Sequence, residues 1–267
     1  HDIDTGSYVF DSYEKQDVEL NMLERQASVA LQLEQSIWRD VGLKQDMNVL
    51  DMGCGSGITS LFLAEYVHDG FVTGIDPSET LIDKADELKR TRGCRNIRFT
   101  TGDIYTPCLA EGSFDFIYCR LLFQHLREPI SALKSIYRLL APGGTVCIVD
   151  IDDACFFLYP EPKTLGDLVA RSARSQQADG GDRFIGRKLS FYLNSSGYKD
   201  AATTIKNIYS DDIGLDMFLT SVLDFRIERL PEHECATARN ELAIAYEALN
   251  TPHTWGSLGI FIATGKK

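Results

Sequence analysis

Apolar residues along the chain follow two alternating patterns. Short apolar runs read as buried strands at residues 47–50, 71–75, 114–118 and 145–151, and residues 96–101 as a further strand. Between these runs the apolar positions recur every three or four residues, as on a helix that buries one face. The spacing predicts a long helix over residues 16–40, with Leu20, Leu23, Ala27, Leu31, Ile37 and Trp38 on one side. Others follow: from Ile58, with Leu61, Phe62 and Tyr66; over 78–92, with Leu81, Ile82, Ala85 and Leu88; and from Pro129, with Ala132, Leu133, Ile136 and Leu140. Ser56 and Ser78 are the expected N-caps of the second and third helices. Strand and helix alternate, which is the order of an α/β domain whose sheet is covered on both faces.

After residue 151 the regularity changes. Phe156, Phe157 and Tyr159 stand beside Pro160 and Pro162, and helices are predicted near 164–177 and 185–193 around a Gly180-Gly181 break. This segment reads as an inserted cap leaving the end of the fifth strand, with its aromatics expected to line an acceptor pocket. A sixth strand is expected at 200–208, helices at 215–227 and 231–249, and a last strand at 258–264. The chain thus divides into an N-terminal helical cap, residues 1–43, and one domain, residues 44–267, with cap insertions at about 152–198 and 213–250.

Composition narrows the partners. The 267 residues are 44% hydrophobic, enough for one sizeable α/β core. Twenty-seven basic against 39 acidic residues give a net charge of −12, a field that repels nucleic acid and anionic membrane and favours a small acceptor. No apolar run approaches the roughly 18 residues needed to span a bilayer, and no basic segment followed by an apolar stretch opens the chain. Seven cysteines are an odd number without C-x-x-C spacing, so they read as reduced thiols rather than disulfides or zinc ligands. A soluble, cytoplasmic protein with no metal is expected, its oligomeric state left open.

The candidate chemistry begins where the first strand ends, at Asp51-Met52-Gly53-Cys54-Gly55-Ser56-Gly57. Glycine there allows positive φ and lets a ligand lie against the backbone. A dinucleotide fingerprint fails in both registers, because the sixth position is Ile58 counted from Gly53 and Ser60 counted from Gly55. A phosphate-binding P-loop fails too, since no lysine lies between Lys44 and Lys84. Asp76, with Pro77 and Ser78, ends the second strand about 20 residues on, where a carboxylate can accept ribose hydroxyls. Gly102-Asp103-Ile104 ends the third strand, and Cys119-Arg120-Leu121 follows the fourth.

The Asp-x-Gly-x-Gly-x-Gly run, the acid at Asp76, the Gly-Asp turn at Asp103 and the LLAPGGTV run at 139–146 together resemble the class I S-adenosylmethionine-dependent methyltransferases. The resemblance covers about residues 47–151 and the last strand. It implies a Rossmann-like, seven-stranded, mostly parallel sheet with helices on both faces, helical cap insertions and an antiparallel last strand between the fifth and sixth. It implies S-adenosylmethionine as cofactor and S-adenosylhomocysteine as product. By the same resemblance the cofactor contacts Asp51, Gly53, Cys54, Gly55 and Gly57. Asp76 and Pro77 meet its ribose, Asp103 its adenine amino group and Ile104 the ring, and Cys119 and Arg120 its methionine part. Tyr13, Arg25 or Gln26 of the N-terminal helix are candidates to cover it.

The expected reaction is in-line transfer of the sulfonium methyl to an O, N or C nucleophile of a small organic acceptor in specialised metabolism, driven mostly by proximity. His125 is the candidate catalytic base, with Asp150, Asp152 and Tyr159 as alternatives. The Asn/Asp-Pro-Pro-aromatic motif of base-amino methyltransferases is absent, since CRLL stands in its place. Two rivals stay open: a protein of this fold that binds S-adenosylmethionine without transferring its methyl group, and, more distantly, a nicotinamide dehydrogenase.

Overall fold

The computed structural model describes residue 31 and residues 33–267. Seven strands form one sheet: β1 (Asn48–Met52), β2 (Phe71–Asp76), β3 (Ile97–Thr101), β4 (Phe114–Arg120), β5 (Leu140–Tyr159), β6 (Lys199–Tyr209) and β7 (Trp255–Lys266), in the order β3-β2-β1-β4-β5-β7-β6. Neighbours from β3 to β5 are parallel. β7 is antiparallel to both β5 and β6, as the family resemblance implied. The order reverses between β1 and β4, and the crevice outside their carboxyl ends is where such sheets bind ligands.

The strands β1, β2 and β4 are largely apolar runs because both faces of the sheet are covered there. On one face Trp38, Leu61, Leu63, Ala85, Phe116 and Tyr118 pack together, joining the helical residues 33–40 to the helices Ile58–Tyr66 and Glu79–Arg92. On the other, Leu50, Ile117, Phe123, Leu133, Ile136 and Leu193 join the helices Pro129–Leu139 and Leu189–Ser195. A third core, with Leu168, Phe218, Leu223, Ala238, Leu242 and Leu249, lies among the helices Leu165–Ala178, Leu215–Leu223 and Glu232–Leu249. These helices hold together through their own apolar contacts.

Three local expectations change. The helix Ile58–Tyr66 is entered through Gly57 at φ 80°, ψ 4°, with no side-chain cap, so Ser56 does not cap it. Ser78 does cap the next helix, its Oγ accepting from the Leu81 N–H at 3.3 Å. β5 does not stop at residue 151: after a register shift, Phe156–Tyr159 pair with Leu258–Trp255 of β7. Phe156 stacks on Phe218 in the third core, whereas Phe157 and Tyr159 are exposed, so these aromatics belong to a strand and do not line a pocket. The expected helix at 215–227 is broken at Asp224 into Leu215–Leu223 and Phe225–Glu228. Among the described residues no helix is long and apolar enough to cross a membrane, and all seven cysteines are unpaired.

Candidate active site

One cavity lies at the reversal of strand order, and it is lined by Asp51, Gly53, Cys54, Gly55, Ser56, Asp76, Pro77, Asp103, Ile104 and Arg120. The three glycines of the turn have different duties. All have positive φ, at 74°, 54° and 80° for Gly53, Gly55 and Gly57. A Cβ on Gly55 would meet no atom within 4 Å, so that position faces open cavity. One on Gly57 would stand 2.6 Å from Phe99 Cζ and 2.7 Å from Ala85 Cβ. Gly57 therefore seats the turn on β3 and the helix Glu79–Arg92, and it does not line the cavity. The turn is pinned by the Gly53 and Cys54 N–H groups, which donate to the Ile75 carbonyl at 2.8 and 2.9 Å.

The acids sit at successive strand tips. Asp76 is 5% exposed and braces the turn, accepting from the Gly55 N–H at 2.9 Å and the Ser78 N–H at 3.0 Å. Asp51 is 2% exposed and accepts from Ser60 Oγ at 2.5 Å. Burial pushes its carboxyl up to about 7, against the opposing pull of the Ser60 hydrogen bond. Asp103 accepts from the Tyr105 N–H at 2.9 Å.

Arg120 donates through Nε to Glu34 Oε1 of the helical residues 33–40, tying that segment to the cavity wall. Glu34 also lines the cavity; burial raises its carboxyl despite Arg120, and its Oε2 is buried without a hydrogen-bond partner. Cys119 is corrected: strand alternation turns its side chain away from Arg120, into the core with Leu50 and Met52. Leu121, at φ 50°, then turns the chain so that Arg120, Leu121 and Leu122 all line the cavity. Tyr13, Arg25 and Gln26 lie outside the described residues.

Of the candidate bases, His125 alone lines the cavity. It closes the short turn Phe123–His125, with Nδ1 3.5 Å from Gln176 Nε2. Burial, then Arg229 and Arg183, hold its imidazole well below the usual histidine range. Asp150 is buried behind it, accepting from the Gln124 N–H at 3.1 Å and the Ile151 N–H at 2.9 Å, and burial pushes it up to about 7. Asp152 takes two hydrogen bonds from Arg187, at 2.5 and 2.6 Å, and Tyr159 is 74% exposed at the end of β5. Neither reaches the cavity.

The wall facing the glycine turn was not anticipated. It carries Gln124, Arg183, Ser221, Val222, Phe225, Arg226 and Arg229, most of them from residues 221–229. Asp153, which no sequence motif marks, holds the wall together between Arg183 and Arg226. Burial works against its ionisation, yet the two guanidinium groups keep it at about 2. One signal was available: Val222, Phe225, Arg226 and Arg229 recur at three and four residues, one helical face mixing apolar and cationic side chains.

Against known proteins, residues 49–144 match the family described as a methyltransferase domain. An uncharacterised methyltransferase of Schizosaccharomyces pombe is 30% identical over 174 residues, which covers 63% of this chain and 60% of that protein. The chain thus spans about 60% of that relative's length. Among solved structures, phosphoethanolamine N-methyltransferase 2 of Haemonchus contortus, in complex with S-adenosylhomocysteine, is 16% identical. It superposes with a TM-score of 0.62 over 97% of this chain and 59% of its own. The 4+2 cyclase SpnF is 20% identical, with a TM-score of 0.58 over 88% of this chain and 80% of its own. The fold is theirs. Residues 49–144 thus match a methyltransferase domain, and the chain shares its fold with S-adenosylmethionine-dependent methyltransferases.

Proposed function

We propose that this protein transfers a methyl group from S-adenosylmethionine to a small organic acceptor held in the same cavity, as a cytoplasmic enzyme of specialised metabolism. The observation that carries the reading is the set of three carboxylates, Asp51, Asp76 and Asp103, around the bare backbone at Gly55. A pyrophosphate would meet those acids with repulsion, whereas a ligand with an ammonium and a sulfonium finds counter-charges. The buried Asp51 carboxyl, held near 7, ionises readily once a cation lies beside it.

In this reading Asp76, with Pro77 beside it, receives the ribose hydroxyls, Asp103 the adenine amino group, and Ile104 packs on the ring. The turn from Gly53 to Gly55, with Cys54 and Asp51, holds the amino-acid part. Arg120, positioned by Glu34, takes its carboxylate. Gly57 and Cys119 serve by packing beneath. Bound there, S-adenosylmethionine supplies an electrophilic methyl carbon to an acceptor nucleophile and leaves as S-adenosylhomocysteine. The chain's own part is to hold donor and acceptor in line and keep water out; good orientation alone is worth about 7 kcal/mol or more. His125 is neutral at pH 7 and can accept a proton from a hydroxyl acceptor, but the burial that, with Arg229 and Arg183, keeps it neutral also makes it a weak base. Its contribution is secondary to positioning.

Product analysis is the test. Protein incubated with methyl-labelled S-adenosylmethionine and a small-molecule extract is expected to yield labelled acceptor and an equal amount of S-adenosylhomocysteine. Conversion of an acceptor with the cofactor left intact would instead favour the rival, a cofactor-binding protein with other chemistry; the fold is shared with a 4+2 cyclase.

A further inference from the structure

Among the described residues, Arg183 and Arg226 of the cavity wall carry more positive charge than Asp153, the one acid they share, cancels. Arg183 and Arg226 are 6% and 1% exposed, and both bind the one carboxylate of Asp153, at 2.8 and 3.1 Å from Arg183 and 3.0 and 3.2 Å from Arg226. Arg183 gives one further N–H to Gln124 Oε1 and Arg226 one to the Val222 carbonyl. A guanidinium has five N–H donors, so each arginine uses three and keeps two. The Phe225 ring centroid lies 4.7 Å from Arg183 Cζ and 5.1 Å from Arg226 Cζ, which fixes both groups in place.

Two cations sharing one anion leave a net positive charge in a buried wall, and burying uncompensated charge is costly. The buried carboxyl of Asp150 accepts hydrogen bonds from the Gln124 and Ile151 N–H groups and makes none with either arginine. Ser221, which also lines the cavity, has a buried Oγ without a hydrogen-bond partner. Val222, Leu258 and Ile260 line the same cavity with apolar side chains.

We propose that the acceptor is an amphiphilic acid: a carboxylate or phosphate group received by Arg183, Arg226 and Ser221, on an apolar body packed against Val222, Leu258 and Ile260. This rests on the reading of the cavity as the acceptor site. An anion there takes up the unused donors and balances the charge, and the apolar surround excludes a small hydrated ion as the natural occupant.

The test is calorimetry on the full chain, alone and saturated with S-adenosylhomocysteine, using phenylacetate, phenyl phosphate and the neutral 2-phenylethanol. At least one anion is expected to bind tenfold or more tightly than the alcohol, and which one separates carboxylate from phosphate. Arg183→Gln should abolish that preference. Because this change also strips Asp153 of a partner and can unfold the wall, Ser221→Ala serves as the milder variant, with a two- to fivefold loss of anion affinity expected. Equal affinity for the alcohol and both anions on the wild-type chain overturns the inference while the cofactor reading stands. Failure to bind S-adenosylhomocysteine overturns the cofactor reading instead, and the anion preference of the unliganded chain still decides this one.

Discussion

The two halves of the cavity are built by different means. The half at the glycine turn is made by backbone: positive φ at Gly53 and Gly55, N–H groups on Ile75, and acids at the tips of β1 and β2 and just beyond β3. The other half is made by side chains from distant segments, with Arg183 and Arg226 gathered around Asp153 and stacked on Phe225. Backbone geometry demands particular residues at fixed spacing, whereas a packed side-chain wall only needs compatible partners. The first half therefore holds one ligand class, and the second can be rebuilt for a new acceptor without disturbing it.

If the halves are separable, breaking the second should cost stability and leave the first intact. Asp153→Ala leaves two buried guanidinium groups without their counter-ion, a loss of about 3–5 kcal/mol in a urea melt. S-adenosylhomocysteine affinity of the folded protein should stay within about twofold, or about 0.4 kcal/mol. A parallel fall in affinity would show that the halves are one unit.

Gly55→Val does the reverse. A side chain there meets no protein atom but fills the cavity, so cofactor affinity should drop by at least ~100-fold, about 3 kcal/mol, in calorimetry. The left-handed backbone adds about 1–2 kcal/mol of strain. Gly57→Ala, two residues on, drives a methyl into Phe99 and Ala85 and should lower stability by about 1–3 kcal/mol.

Asp76→Ala should weaken cofactor binding by about 1–3 kcal/mol through lost hydrogen bonds, and unchanged affinity would remove Asp76 from the site. The smallest effect expected is on pH. In the folded chain Asp51 keeps its proton up to about 7, while in the unfolded chain it has released it near the ordinary carboxylate value. Stability therefore declines as pH rises between those values and levels off above about 7. Affinity for a cationic ligand runs the other way, rising through about pH 7 with up to one proton released. Calorimetry in two buffers of different ionisation heat measures that proton, and Asp51→Asn should abolish it.

This contrast also governs what the sequence disclosed. The glycine turn, Asp76 and Asp103 each follow a strand predicted from the sequence, so strand, turn and acid are read together from neighbouring residues. The extension of β5 was hidden because Asp152 and Asp153 interrupt the apolar run, although pairing with β7 resumes at Phe156. Cys119 was misplaced because a motif was carried over without strand alternation, which turns Cys119 and Arg120 to opposite faces. The ion pairs at the centre of the arginine wall were illegible for a different reason. Asp153 meets partners 30 and 73 residues away, Arg183 and Arg226, and nothing local in the chain announces such a pairing.

Titration of the purified protein with S-adenosylhomocysteine, alongside NAD as a control, is the most direct measurement of the central claim that three acids around a bare turn receive an adenosyl cofactor without a phosphate. Saturable one-to-one binding of S-adenosylhomocysteine, with no heat from NAD, is the expected result. Heat from NAD alone, or none from either S-adenosylhomocysteine or S-adenosylmethionine, would contradict it.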